Sequence, residues 1–258
     1  MAFHESNFTK FKKLITNPKT GIKKIIPFFN SKIVPYKRDF LEFLGIDRLS
    51  RPYREENKLL KYINRNNGFF IECGGNDGHN FDPTYYLEKF LGWRGIIIEP
   101  LPIGKLCIRN RKKSWIYQVA LVPFGFKDKN VNFIDCNAMS FIEGTIENQV
   151  EWIKSGEDTQ KIEARKINVP AKTIQKVIDE HKLKNRTFAD IDFFVIDVEG
   201  YELEVLKGLD FSINSPNWIM AEAHTNERFN KIKSYLEQKK YSYVSEIGYK
   251  DFLFKLNK

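Results

Sequence analysis

The stretch "FFVIDVEGYELEVLKG", residues 193–208, decides how the chain is read. Phe193 to Ile196 form a short apolar run without alternation, the pattern of a strand buried on both faces in a parallel sheet. The run ends in Asp197 and Glu199. Gly200 then lets the chain turn, and a helical segment starts near Tyr201. A carboxylate at the end of a buried strand is costly unless donors, a cation or a ligand meet it. The stretch predicts a strand whose exit carries a polar site.

The same pattern recurs on either side. "GFFIECGG", "GIIIEP", "WIYQVALV" and "NWIMAEAH" read as further buried strands, and "YSYVSEI" with "DFLFKL" as a closing antiparallel pair. Helical segments separate them: "EENKLLKYINRNN", "TYYLEKFLGW", "IGKLCIRNRKKS", "AKTIQKVIDEHKL", "YELEVLKGL" and "ERFNKIKSYLEQKK". Asp82 before Pro83 is a start signal for the second of these, and Gly92 a stop. Strands alternating with helices imply right-handed crossovers, hence an α/β fold with a mostly parallel seven-stranded sheet and helices on both faces.

Two regions fall outside this rhythm. Residues 1–66 hold 15 Lys and Arg against 6 Asp and Glu, while residues 67–258 hold 27 of each, so the whole net charge of +9 sits in the leader. The leader mixes these cations with Phe and Ile and is broken by Pro18, Pro27 and Pro35. It is expected to be a basic helical segment that packs on the core or a second subunit, giving a homodimer. The alternative is docking to an anionic membrane surface or a partner enzyme such as a glycosyltransferase. The second region, 127–165, pairs a hairpin-like "NVNFIDCNAMSFIEG" with the polar "TIENQVEWIKSGEDTQKIEARK", and is expected to be an inserted cap or lid on the 67–258 domain.

At 258 residues and 42% hydrophobic, the chain supports one sizeable core rather than two. No apolar run approaches the ~18 residues of a membrane span. The opening residues lack a signal-peptide pattern. Cys73, Cys107 and Cys136 have neither disulfide nor zinc spacing, so a reducing, cytoplasmic setting is expected, peripheral to a membrane if the leader docks there. A basic leader on a neutral domain does not put positive charge around the strand exits, where a nucleic-acid enzyme needs it.

In open parallel sheets ligands bind beyond the carboxyl ends of the strands. The exits here read "ECGGNDGHN", "EP", "AL", "DVEG" and "EAH". In the first, Gly74, Gly75, Asn76, Asp77 and Gly78 allow close backbone approach, but the order does not match the G-x-G-x-x-G dinucleotide fingerprint, and no phosphate loop follows. Glu72 and Asp77 would repel a pyrophosphate and suit a ligand carrying an ammonium and a sulfonium. Glu99, ending the second strand 25 residues after Gly74, stands near the ~20-residue spacing of a ribose-binding acid.

Together "FFIECGGNDG", "LEKFLGWRGIIIEPLP", "YQVAL" and "VIDVEGYELEVLKG" resemble the FkbM family of S-adenosylmethionine-dependent methyltransferases. The resemblance implies a Rossmann-like class I fold, S-adenosylmethionine as cofactor, and O-methylation, often of a sugar hydroxyl in a glycan or related product. It places Glu72, Gly74, Gly75, Asn76, Asp77 and Gly78 on the methionine-side loop. Glu99, followed by Pro100, falls on the ribose, Ala120 against adenine, and Asp197 at the methionine end and transferring methyl. The family's first loop more often reads D-x-G-A-N where this chain has E-C-G-G-N.

A sugar hydroxyl needs a base as it attacks, and His224 and Glu199 are the candidates, with Glu222 behind them. Mg²⁺ held by Asp197, Glu222 and His224 is a less favoured alternative, because no Asp-Asp or Asp-Asn pair follows the strands. Two rival readings keep the same loop: an RNA methyltransferase using the basic leader, and a non-catalytic scaffold for a glycosyltransferase. No N/D-P-P-Y-type motif follows the fourth strand to support the first, and intact acids and glycines argue against the second. His79 and His181 are expected at the surface.

Overall fold

The computed structural model describes residues 58–79, 82–102, 104–184 and 190–257. The leader's expected docking role falls almost wholly outside them. Of the helix expected over "EENKLLKYINRNN", Lys58 and Leu59 are helical and a turn begins at Leu60.

Along the chain run β1 (Phe69–Cys73), α1 (Pro83–Leu91), β2 (Arg94–Ile98), α2 (Gly104–Asn110), β3 (Ser114–Tyr117) and β4 (Ala120–Leu121). The middle holds β5 (Asn130–Asp135), a 3-10 turn at Asn137–Met139, β6 (Phe141–Ile142), α3 (Gln149–Gln160) and β7 (Arg165–Lys172). Then follow α4 (Ile174–Lys184), β8 (Phe193–Ile196), α5 (Glu202–Leu206), β9 (Trp218–Glu222), α6 (Asn226–Gln238), β10 (Tyr241–Glu246) and β11 (Asp251–Leu256).

The main sheet has seven strands in the order β10-β11-β9-β8-β1-β2-β3. β1 pairs in parallel with β2 and β8, and β11 alone runs antiparallel to its neighbours. The chain lays β2 and β3 to one side of β1, then returns with β8 on the other. That reversal puts the crevice of an open α/β sheet beyond Cys73 and Ile196.

Alternation along β1 sorts its side chains between two layers. Phe69, Ile71 and Cys73 join Ile174 and Val177 of α4, Leu206 of α5 and Leu236 of α6 in one core. Phe70 faces the other way with Ile97, Val195, Leu87 of α1 and Trp93. Burying each of these large apolar side chains contributes about 1.5–3 kcal/mol. Asp82 caps α1 by accepting from the N–H groups of Thr84 and Tyr85, and Gly92 closes it in the left-handed conformation, as the sequence predicts.

"WIYQVALV" is not one strand. It breaks after Tyr117, and Ala120–Leu121 pair instead with β7 in a second sheet ordered β4-β7-β5-β6. The expected hairpin is present as β5 and β6, while the strand it pairs with on its other side, β7, runs on to Lys172 and takes residues expected to open the next helix. His79 and His181 are also not at the surface, being 5% and 0% exposed. His181 sits among Phe69, Trp115 and Tyr117, with Tyr117 Oη 3.0 Å from its Nδ1, and His79 packs edge-on to Tyr85.

Candidate active site

The exits of β1, β2 and β8 are laced together by backbone bonds. The Gly74 N–H donates to Ile98 O at 3.0 Å and the Asp197 N–H to Cys73 O at 3.1 Å. Gly74 sits at φ 89°, and a Cβ there would lie 1.8 Å from the Asp197 carbonyl oxygen. Only glycine lets these two exits approach so closely.

Beyond the exits lies a cavity of about 390 Å³, within the usual range for small-molecule sites. Gly74, Asn76, Asp77, Glu99, Pro100, Ala120, Asp197 and Glu199 line it, all of them expected site residues. The second sheet adds a wall not anticipated from sequence, with Phe133 of β5, Asn137 and Ser140 beside the 3-10 turn, and Gln160 of α3. Nothing in the local sequence marks those positions, because the cap's pairing with β4 is what brings them to the rim.

Three residues expected on the methionine-side loop lie elsewhere, and a fourth expected residue, His224, stands behind the cavity. Gly75 and Gly78 do not line the cavity; a Cβ on Gly75 would strike the Ile97 side chain, and one on Gly78 the Arg111 and Cys107 side chains. They let the turn sit down on the core. Glu72 shares the parity of Phe70 and points into that same layer. There its Oε2 accepts from Thr84 Oγ1 at 2.6 Å and from the Arg111 guanidinium at 3.3 Å. Arg111, fully buried, also binds Asp82 and donates from Nε to Glu88 at 3.0 Å. Burial opposes its charge, but Asp82, Glu72 and Glu88 outweigh that and raise its pKa. Burial, with Asp82 adding, drives Glu72 well above the carboxylate range. Glu72 thus acts below the loop, fastening it to α1 and α2.

Glu99 is fixed by two backbone donors, Asn76 N–H at 2.8 Å on Oε2 and Leu101 N–H at 2.9 Å on Oε1. Each oxygen keeps a lone pair for a further donor. At the far end, Glu199 holds φ 55°, a left-handed conformation that a non-glycine residue adopts under constraint. The constraint is supplied by Glu202, a residue sequence reasoning missed. Its Oε1 accepts from the N–H groups of Gly200 at 2.7 Å and Val198 at 3.3 Å, while Arg228 binds the Gly200 carbonyl. Glu202 therefore holds the turn and leaves the Glu199 carboxylate for the cavity.

His224 does not line the cavity. It stands behind Glu199, with Nε2 3.0 Å from Glu199 Oε2 and 3.2 Å from Glu222 Oε2. Trp152 of α3 approaches its ring at 5.2 Å. Burial lowers the His224 pKa, so the imidazole is neutral. Burial pushes Glu99, Asp197, Glu199 and Glu202 each up to about 7, and Glu222 up to about 11, with neighbouring carboxylates adding to the rise at Asp197 and Glu222.

A carboxyl that binds its proton more tightly when folded stabilises the fold below its unfolded pKa and loses that contribution as pH rises through its folded pKa. His181 and His224, lowered by burial, act in the opposite sense but are outnumbered. The melting temperature of the ligand-free protein is therefore expected to fall between about pH 5 and about pH 8. A rise over that interval in a thermal scan would contradict the burial of these carboxyls.

A mostly parallel sheet with an antiparallel last strand, a glycine turn after β1 and an acid after β2 make a Rossmann-like α/β fold. Residues 72–243 match the family model described as "Methyltransferase FkbM domain", and the chain belongs to that family. Among solved structures, the precorrin-6y C5,15-methyltransferase of Geobacter metallireducens GS-15 resembles it with a TM-score of 0.42 and 12% identity, over 78% of this chain and 85% of that one. No curated protein sequence matches it. Among the described residues, no helix is long and apolar enough to cross a membrane.

The family implies S-adenosylmethionine, and the cavity fits it. Its described lining contains Asp77, Glu99, Asp197 and Glu199 but no Lys or Arg, an acceptor set suited to a ligand with cationic ends and ribose hydroxyls. Glu99→Ala is expected to weaken S-adenosylhomocysteine binding by about 1.5–3 kcal/mol, the range for hydrogen bonds to a charged group. Unchanged affinity by calorimetry would remove Glu99 from the ribose site.

Proposed function

We propose that the protein is an O-methyltransferase that modifies a hydroxyl of a sugar, in a glycan, a nucleotide-sugar or a related glycosylated product. The observation that carries this reading is the make-up of the cavity's Glu199 end. There a carboxylate poised near neutrality adjoins Asn137, Ser140, Gln160 and Tyr201. Neutral amide and hydroxyl groups beside one proton acceptor suit a polyhydroxylated acceptor, and the lack of Lys or Arg in the described lining disfavours a phosphate backbone.

When bound, S-adenosylmethionine supplies a methyl group already activated by its sulfonium, so the protein's work is alignment and proton removal. Glu99 and the Gly74 turn would hold the nucleoside and methionine ends, with Asp197 near the cationic centre. Glu199 takes the proton from the acceptor hydroxyl. His224, bonded to Glu199 from behind, fixes its rotamer. The cap would close over the acceptor, since Asn76 Nδ2 donates to Asn137 and Asn137 Nδ2 to Gln160, linking the cofactor turn to α3.

The test is incubation with S-adenosylmethionine and a panel of nucleotide-sugars and oligosaccharides, followed by mass spectrometry. Gain of one methyl on a sugar oxygen is expected. Methylation confined to RNA, or to nitrogen, would overturn the reading.

A further inference from the structure

The cluster behind Glu199 holds more ligand atoms than one proton transfer requires. Glu199, Glu222 and His224 each present one atom, all within 4.8 Å of one another. An imidazole Nε2 carries at most one proton, and that bond goes to Glu199. Glu222 Oε2, though 3.2 Å away, is buried and receives no hydrogen bond. Among the described residues no Lys or Arg forms an ion pair with Asp197, Glu199 or Glu222; the nearby Arg228 guanidinium is turned to the carbonyls of Gly200 and Thr145. A buried carboxyl is kept by a proton or by a cation. Among the described residues no cation pairs with this group, so the place for one is open.

The spacing says what would supply it. Adjacent ligands on a six-coordinate ion with bonds of about 2.1–2.2 Å stand roughly 3.0 Å apart, being √2 times the bond length. The His224–Glu199 and His224–Glu222 separations are 3.0 and 3.2 Å. All three residues are placed by rigid elements: Glu222 ends β9, His224 precedes Thr225, the N-cap of α6, and Glu199 is pinned by the Glu202-bonded turn. Two carboxylates with one imidazole form a mixed oxygen and nitrogen set. It suits Mn²⁺ or Mg²⁺, and it contains no thiolate to select a soft metal.

We propose that Glu199 Oε2, Glu222 Oε2 and His224 Nε2 form a binding site for one divalent cation, of the Mn²⁺ or Mg²⁺ type, beside the acceptor end of the cavity. The ion would displace the proton shared between His224 and Glu199 and the proton held by the Glu222 carboxyl, both of which leave to solvent. Its consequence for catalysis rests on the reading of this end as the acceptor side. A hydroxyl bound to the ion loses its proton more readily, and the second oxygen of Glu199 remains to accept that proton.

The experiment is a Mn²⁺ titration of the full chain, stripped of metal by chelator and gel filtration, followed by electron paramagnetic resonance. One bound ion per chain is expected. Glu222→Gln and His224→Ala should each weaken it at least tenfold, with S-adenosylhomocysteine affinity and melting temperature recorded to show that the variants fold. No binding at millimolar Mn²⁺, or equal binding in both folded variants, overturns the site. If Mn²⁺ binds as expected and no sugar is methylated in its presence, the cation site stands and the sugar reading fails. If a sugar is methylated equally well with chelator present and no ion binds, the sugar reading stands and the cation site fails.

Discussion

Glu199→Gln should lower turnover on the acceptor by about 10²–10⁴-fold, the usual contribution of a positioned general base. The amide keeps the size of the side chain and can still accept from His224, so the left-handed turn and the bonds from the Val198 and Gly200 N–H groups to Glu202 are retained. What it loses is the ability to take a proton, and with it an interaction made as the hydroxyl attacks. Affinity for S-adenosylhomocysteine is therefore expected to stay within about threefold of wild type, the signature of a group acting in the transition state. His224→Ala should lower turnover in the same direction, because the rotamer of Glu199 is then unsupported. Single-turnover kinetics with saturating cofactor measure the step directly, and full activity in Glu199→Gln would show that another group accepts the proton.

Arg111→Ala is expected to be the most destabilising single change in the described fold. The guanidinium is fully buried and joins Glu72 of β1, Asp82 at the cap of α1 and Glu88 within α1, with the Phe70 ring 5.0 Å from its Cζ. Removing one partner of a buried ion cluster leaves uncompensated charge and typically costs about 3–5 kcal/mol. The cluster also carries the floor of the Gly74–Gly78 turn, so cofactor affinity should drop even where the variant remains folded. Urea unfolding gives the first quantity and calorimetry the second. A loss below about 1 kcal/mol would mean that the carboxyls simply take up protons and that the cluster does little for stability.

The sequence made the main sheet legible because its strands are uninterrupted apolar runs with helices of ordinary length between them. The rim was legible for the same reason: Glu99, Asp197 and Glu199 stand where such runs stop. Glu72 shares the parity of Phe70 and so lies in the opposite layer from Cys73, bonded to Thr84 and Arg111, which the resemblance alone does not reveal. Within "RNRKKS" nothing sets Arg111 apart, because its partners at 72, 82 and 88 come together only when β1, α1 and α2 pack. His181 looked like a surface residue for want of local context; the aromatic rings that bury it come from β1 and β3. The cap's four-stranded sheet was least readable, because β4 and β6 are two-residue strands whose pairing depends on long-range register with β5 and β7. In sequence, Glu202 is one more acid on a helix. Its role appears only in the backbone N–H groups it binds.

One titration tests the central claim most directly, namely that the rim built by β1, β2 and β8 holds S-adenosylmethionine. Calorimetry of the purified chain with S-adenosylmethionine should give a single site, weakened at least tenfold in Asp197→Asn and within about threefold of wild type in Glu199→Gln, because only the first removes a charge facing the cofactor's cationic end. No heat of binding to the folded wild-type protein, or equal affinity in wild type and Asp197→Asn, would contradict the account.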